Sequence, residues 1–521
     1  MAPPTVIIGS GIGGLTSAAL LSARGVPVTV IEKAAAPGGK IRQLDVAGVP
    51  VDAGPTVFTM RPVIDAIFAG AGAATDDYLT LERADTLARH AWDCSGHLDL
   101  FADPEKSADA VGAFAGAVAA KGFRSFSAEA KRIFDILDAP FLRDTKTYPP
   151  GLMWRIGLWR VGALLAIRPY ESLWKVLGEH FDDVRLRQLF GRYTTYCGSS
   201  PFRTPATLML IAHVEAQGVW KIAGGMGALA SALAAVARKN GARFRYETDV
   251  TQIETRRGRV TGVVLDGGER LQASAIVYNA DPAALGAGLF GTDARRAVRA
   301  VPPGKRSLSA LVWLVNGTTS GVPLEHHNIF FSGDYASEFA DIDAGRVPGA
   351  PTAYVCALDH QDQQARPDPA APARQRLQII VNAPANGDTH DYSSGETASC
   401  TSNMLTRLNA CGLQLEDPLP HRLVTPNDFS KRFPATGGAL YGRASHGWAA
   451  SFLRPGCRTR IRGLYLAGGG THPGAGVPMA ALSGQLASEA VLSDRISTRW
   501  YHRGAIAGGM STRSAMTGAS G

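Results

Sequence analysis

The chain has 521 residues, enough for two or three core-forming units, and with 45% hydrophobic and 19% charged residues it is too apolar for a disordered protein. Its formal net charge is +8, but no cluster of Lys and Arg interleaved with aromatics occurs, which sets nucleic-acid binding aside. No stretch reaches the roughly 18 uncharged apolar residues of a membrane span, so a soluble or peripheral protein is expected. The six cysteines (Cys94, Cys197, Cys356, Cys400, Cys411, Cys457) form no C-x-x-C pair and have no His at ligand spacing, so no metal is expected and they read as buried thiols in a reducing compartment.

Thr5 to Ile8 is an apolar β-type run that feeds into Gly9-Ser10-Gly11-Ile12-Gly13-Gly14. A helix-forming stretch from Leu15 to Arg24 follows, then a second apolar run, Val26 to Ile31, ending on Glu32. Strand, G-x-G-x-x-G turn, helix, strand and acid together make a dinucleotide fingerprint. Gly9 permits the tight turn, Gly11 lets the backbone approach a pyrophosphate, and Gly14 lets the helix pack close on the strand. The helix N-terminus offers bare N–H groups to phosphate. Glu32 suits ribose hydroxyls and repels a 2′-phosphate, which leaves NAD and FAD. The small-residue loops that follow, Lys33 to Pro37 with Gly38-Gly39-Lys40 and Asp52-Ala53-Gly54-Pro55-Thr56, favour FAD, since they offer wrapping for one extended cofactor instead of another α/β unit. No signal peptide is expected, because cleavage beyond Thr5 would destroy this site.

Helices are predicted over Ser107–Ala120 and Ser127–Leu137. In Leu152 to Tyr170, Trp154, Trp159, Leu164, Leu165 and Ile167 alternate with Arg155, Arg160 and Arg168, which suits an interfacial helix or a helix packed on its own domain. At Gly224-Gly225-Met226-Gly227 a new unit opens with a helix (Ala228 to Asn240) and strands ending at Val250 and over Val260–Leu265 and Ala275–Tyr278. Strands near Leu308–Val315, Thr352–Leu358 and Leu377–Asn382 follow. Gly463 to Gly468 is a strand ending in glycines, and Thr471-His472-Pro473-Gly474-Ala475-Gly476-Val477-Pro478 leads into a helix from Met479 to Leu492. The tail is rich in Gly, Ser, Thr and Ala, carries four Arg and no acid after Asp494, and is expected to be disordered. The fold class is therefore α/β: a discontinuous Rossmann-like FAD-binding domain (1–90, 220–290, 455–495), an inserted mixed α+β substrate domain (91–219, 291–454) and a tail (496–521).

The N-terminal glycine segment, Pro37-Gly38-Gly39-Lys40, Asp52 to Thr56 and Leu464 to Pro478 resemble bacterial carotenoid desaturases, with further likeness at His326-His327-Asn328, Phe433 to Gly438 and Phe452 to Gly456. Thr56 to Arg61, Ala88 to Trp92, Tyr196 to Pro201, Thr207 to Ile211 and Gly218 to Trp220 are similar to the 1-hydroxycarotenoid 3,4-desaturases (methoxyneurosporene or hydroxyneurosporene dehydrogenases) of purple bacteria. The resemblance implies FAD, with Gly9 to Gly14 (including Ser10, Ile12 and Gly13) on the pyrophosphate, Glu32 on the ribose and Lys40 near the phosphates, and with Lys33 and Gly39 among the cofactor-binding residues. It further implies Gly54, Pro55 and Thr56 at the cofactor, Val250 on the adenine through its backbone, and Gly468, Gly469, Gly476, Val477 and Pro478 along the flavin ring. The last helix would aim its positive end at reduced flavin.

The implied reaction is desaturation of C3–C4 in an acyclic 1-hydroxy or 1-methoxy carotenoid: hydride leaves C4, allylic to the polyene, and a proton leaves C3. No base is assigned. Asp144 and Arg143 are either catalytic groups or a surface ion pair, and His472 is either structural or part of the site. A long apolar substrate implies contact with the bilayer, hence a cytoplasmic enzyme peripherally associated with the inner (intracytoplasmic) membrane, with oxygen or quinone as electron acceptor. Phytoene desaturation, a flavin amine oxidase and a non-redox prenyl-binding protein are the alternatives.

Overall fold

The computed structural model describes residues 3–93, 96–145, 148–157, 159–360, 374–416 and 419–507, so Cys94 lies outside it. Five strands form one parallel sheet in the order Leu464–Leu466, Ala275–Tyr278, Thr5–Ile8, Val28–Ile31, Arg243–Arg245. The start, middle and end of the chain thus meet in one sheet. Its central strand is buried on both faces, which is why it reads as a continuous apolar run rather than an alternation. Ile7, Val30 and Val277 face a core made with the helices Ile12–Ala23, Gly227–Lys239 and the last helix. Val6, Ile8, Ile276 and Tyr278 face a three-stranded antiparallel layer, Val250–Arg256, Arg259–Leu265 and Arg270–Gln272. Val250 opens its strand instead of ending one, as the sequence reading has it.

The first and last helices cross where small residues meet. A Cβ on Gly484 would stand 2.1 Å from the Gly13 carbonyl oxygen, and Ser17 Oγ donates to the Gly484 carbonyl at 2.8 Å. The last helix runs Val477–Ala507, beyond the expected end at Leu492 and into the segment expected to be disordered; residues 508–521 of the tail lie outside the described residues.

A second sheet has seven strands, in the order His421–Val424, Ser309–Gly317, Gln375–Ala383, Ala353–Ala357, His327–Phe330, Thr86–Ala91, His97–Phe101. Its pairs are antiparallel except His327–Phe330 with Thr86–Ala91. Leu311, Trp313, Ile379 and Val355 pack one face against Met404 and Leu408 of the helix Ser394–Ala410. Val312, Ile380, Tyr354 and Ile329, paired across the sheet, point to the other face. A helical block covers that side. Its helices are Pro104–Ala115 and Ala117–Leu137, split where Gly116 (φ 90°) takes a conformation that ends a helix.

The Trp/Arg segment is not one interfacial helix. It is two short ones, Pro149–Ile156 and Val161–Ala166, broken at Gly157 (φ 101°). Trp154 and Trp159 project from it 70% and 83% exposed, and Leu165 and Tyr170 stand out beside them. Arg168 does not snorkel: it pairs with Glu129, Glu171 and Glu179. Arg155 pairs with Asp144 at 2.7 Å.

Candidate active site

The glycine turn behaves as its spacing requires, with one added participant. Gly9 has φ 91°, and a Cβ on Gly14 would lie 2.3 Å from the Gly9 carbonyl oxygen, so helix and strand could not close around any other residue. The added participant is Asn279. Its Nδ2 donates to the Gly9 carbonyl at 3.1 Å, and Cβ atoms on Gly11 or Gly13 would meet its amide at 3.0 and 2.8 Å. Asn279 directly follows the strand Ala275–Tyr278, at the carboxyl end where open α/β sheets place ligands. That signal was readable, but the contact joins residues 270 positions apart.

Glu32 is buried, with Ser10 N and Oγ donating to one oxygen (2.7 and 2.8 Å) and Ala34 N to the other (2.9 Å). A carboxylate accepts about four hydrogen bonds, so capacity for ribose hydroxyls remains.

These residues open on a cavity of about 860 Å³, near the top of the ordinary range for small-molecule sites. Gly9, Gly11, Ile12, Gly13 and Glu32 line one end. Lys33, Gly39, Lys40, Gly54, Pro55 and Thr56 continue the wall, and Val250 joins them from the antiparallel layer. Gly468, Gly469, Gly476, Val477 and Pro478 line it from the C-terminal segment, where the last helix presents its positive end. Ser10 and Gly14 stand behind the wall, Ser10 holding Glu32 and Gly14 the helix. Lys33 donates to the Arg432 carbonyl. Lys40 donates to the Leu440 carbonyl over the Phe433 ring, and burial lowers its pKa.

Arg454 was missed as a site residue. It is buried on the cavity wall and donates to the Gly469 (3.0 Å) and Arg443 (2.7 Å) carbonyls, tying the wall to the C-terminal glycine segment. The three candidates for chemistry lie off the wall. Arg143 pairs with Asp138, Asp144 with Arg155, and buried His472 donates through Nε2 to the Phe141 carbonyl at 2.8 Å, its pKa pushed down to about 4 chiefly by burial.

Beyond the glycines the cavity turns apolar. Leu137, Phe141, Leu152, Ile211, Val214 and Phe452 come from the helical side, and Val312, Ile329 and Ile380 form the sheet floor. Polar groups interrupt it, among them Gln378 and Asn382 beside Ile380 and two hydrogen-bonded clusters. Tyr354 OH shares hydrogen bonds of 2.7 Å with Thr56 Oγ1 and His327 Nδ1. Arg192, Tyr196 and Glu215 form the other: Arg192 Nη1 donates to Tyr196 OH (2.8 Å), Tyr196 OH to one Glu215 oxygen (2.8 Å), and Tyr193 OH to the second (2.6 Å). Burial, reinforced by the Glu215 charge against the pull of Arg192, raises the Tyr196 pKa.

A glycine-lined crevice at the carboxyl ends of a parallel sheet, joined to an apolar chamber, is a dinucleotide site opening on room for an apolar ligand. The model of the flavin containing amine oxidoreductases matches residues 12–492. The chain is 51% identical over 518 residues to a hydroxyneurosporene desaturase of Rubrivivax gelatinosus, covering 98% of each, and 28% identical to a 1-hydroxycarotenoid 3,4-desaturase of a Flavobacterium species (93% of this chain, 98% of the relative). The solved structure of an oxidoreductase from Methanosarcina mazei superposes with a TM-score of 0.59 at 18% identity, over 93% of this chain and all of that one, and so shares the fold. The chain belongs to the flavin containing amine oxidoreductases and, within them, to the carotenoid desaturases of purple bacteria.

FAD is its cofactor, and the residues fit it. A side chain on Gly469, on the cavity wall, would meet no protein atom within 4 Å, so packing within the protein does not require its bareness. Space is kept there for a ligand. Among the described residues no helix is long and apolar enough to cross a membrane.

Proposed function

We propose that the protein desaturates C3–C4 of acyclic 1-hydroxy or 1-methoxy carotenoids at a membrane surface. One observation carries this reading: the crevice that fits FAD and the apolar chamber are a single cavity. Its wall includes Phe452 and the partly exposed Trp448, whose ring packs on exposed Tyr170, and Tyr170 ends the segment that also exposes Trp154, Trp159 and Leu165. Exposed aromatics of this kind sit in the bilayer interface, where a long apolar substrate is dissolved. The corresponding division of the chain is a cofactor part (1–90, 220–290, 455–495) and a substrate part (91–219, 291–454). The parallel and the seven-stranded sheets support it, although the strand Thr86–Ala91 straddles position 90.

Bound FAD supplies a two-electron hydride acceptor. The chain's residues do the rest. Apolar walls exclude water, so that positive charge developing on the polyene is not trapped by hydroxide. The sheet floor and helical roof hold the rod straight, which replaces a chance encounter by a positioned one. Glu32, Ser10 and the two helix N-termini hold the dinucleotide. Oxygen or membrane quinone takes the electrons afterwards. The test is incubation with FAD and liposomes containing 1-hydroxyneurosporene or phytoene, followed by chromatography. A 3,4-desaturated product from the hydroxylated substrate is expected. Conversion of phytoene alone would replace this reading with phytoene desaturation.

A further inference from the structure

A carotenoid rod offers its enzyme little to hold on to. Apolar burial is non-directional, so smooth walls accept any stretch of polyene equally well. Register, meaning which carbon pair lies at the hydride acceptor, needs a directional contact. In a 1-hydroxycarotenoid the only atom able to make one is the C1 oxygen, four bonds from C4. Its partner must therefore lie in the chamber and close to the crevice.

Arg192 lines the same cavity as the crevice and is only 4% exposed. Its guanidinium lies over the Tyr193 and Tyr196 rings, Nη1 is engaged by Tyr196, and Nε and Nη2, closed off behind the wall, find no hydrogen-bond partner. An unmet buried guanidinium is costly, so such a group signals a missing acceptor. Tyr196 is held by Glu215, and its oxygen keeps a lone pair after accepting from Arg192. Arginine donor and phenol acceptor together suit a hydroxyl, which is both acceptor and donor. Arg192 and Tyr196 share the 3-10 turn Arg192–Cys197. Cys197 is on the cavity wall and within electrostatic reach of Arg454, which is bonded to Gly469. Both residues line the same cavity as the crevice. At the other hydrogen-bonded cluster Tyr354 OH is engaged by both Thr56 and His327, while the unmet atoms nearby, His327 Nε2 and Gln378 Oε1, belong to neutral side chains with no charge to offer the oxygen.

We propose that Arg192 and Tyr196, oriented by Glu215, form a polar end-stop that hydrogen-bonds the C1 oxygen and sets C3–C4 beside the hydride acceptor. The inference rests on the reading of the protein as a 1-hydroxycarotenoid desaturase. A pocket built for a hydroxyl rejects the analogue lacking it far more strongly than an apolar pocket rejects a change of size.

The test compares full-length wild type, Arg192→Met and Tyr196→Phe, each loaded with FAD, on 1-hydroxyneurosporene and on neurosporene in liposomes. Methionine keeps the apolar stem and removes the donors. The preference for the hydroxylated substrate, as a ratio of kcat/KM values, should fall about 100-fold in Arg192→Met and about 10-fold in Tyr196→Phe, with FAD absorbance unchanged. Double bonds should then appear at mixed positions. Equal losses on both substrates, or an unchanged ratio, overturn the end-stop while leaving the desaturase reading intact. Wild type inactive on 1-hydroxyneurosporene overturns that reading and the end-stop with it. Should Arg192→Met fail to fold, the Tyr196→Phe ratio decides alone.

Discussion

The two ends of the cavity are built by opposite means. At the crevice the working parts are backbone: bare glycines, two helix N-termini and the ends of parallel strands, with Glu32 the main side chain. In the chamber the working parts are side chains brought from the helical block, the seven-stranded sheet and the C-terminal segment. A cofactor of fixed shape is met by backbone that cannot vary. A flexible family of apolar rods is met by side chains that can.

The sharpest challenge to this contrast is to add side chains where backbone does the work. Gly14→Val and Gly484→Val should each reduce bound FAD, read by flavin absorbance, to below about a tenth, because the new Cβ would fall 2.3 Å from the Gly9 oxygen and 2.1 Å from the Gly13 oxygen. Gly484 is the more telling, since it lies outside every recognisable motif. Retention of FAD by Gly484→Val would break the argument that helix crossing shapes the crevice. Glu32→Ala should weaken FAD binding about 10- to 100-fold in a fluorescence titration, from lost charged hydrogen bonds both to ribose and to Ser10.

On the chamber side the effects should leave FAD in place. Trp154→Ser with Trp159→Ser should cut flotation with anionic liposomes several-fold at constant flavin content. Arg160→Glu should add to the loss, whereas charge reversal at Arg155 or Arg168 would act by breaking ion pairs with Asp144 or the three glutamates. Unchanged flotation in the tryptophan variant would remove the docking surface.

The smallest effect concerns acid. Burial pushes His326, His446 and His472 down to about 4. Between about pH 4 and the ordinary value of 6.5, the unfolded chain therefore binds more protons than the folded one, and stability rises with pH. Melting temperature should fall as pH drops from 6.5 toward 4. His472→Asn, which keeps a donor for the Phe141 carbonyl, should flatten that slope slightly and keep desaturation within a few-fold of wild type. A large loss of turnover with FAD retained would return His472 to the mechanism.

Much of this was legible without coordinates, and the reasons are local. Gly9, Gly14 and Glu32 announce themselves because a turn, a close packing and a strand end each restrict a few adjacent residues. Asn279 and Arg454 did not, since each satisfies carbonyls of another chain segment. The 152–170 segment shows the same limit from the other side. Its composition left an interfacial helix and a helix packed on its own domain both open, while helix continuity depended on Gly157 and the fate of Arg168 on Glu129 and Glu179.

The amino-acid sequence by itself determined the dinucleotide site and the parallel sheet, because nucleotide binding is written in short-range backbone geometry that a few glycines and one acid enforce; the flavin and the desaturation chemistry followed from resemblance to a family. Only the tertiary structure decided that crevice and chamber are one space and that Arg192, on its wall, keeps two buried donors unmet. Whether a buried charge is satisfied depends on which distant side chains and carbonyls arrive beside it, and no local pattern in the chain records that.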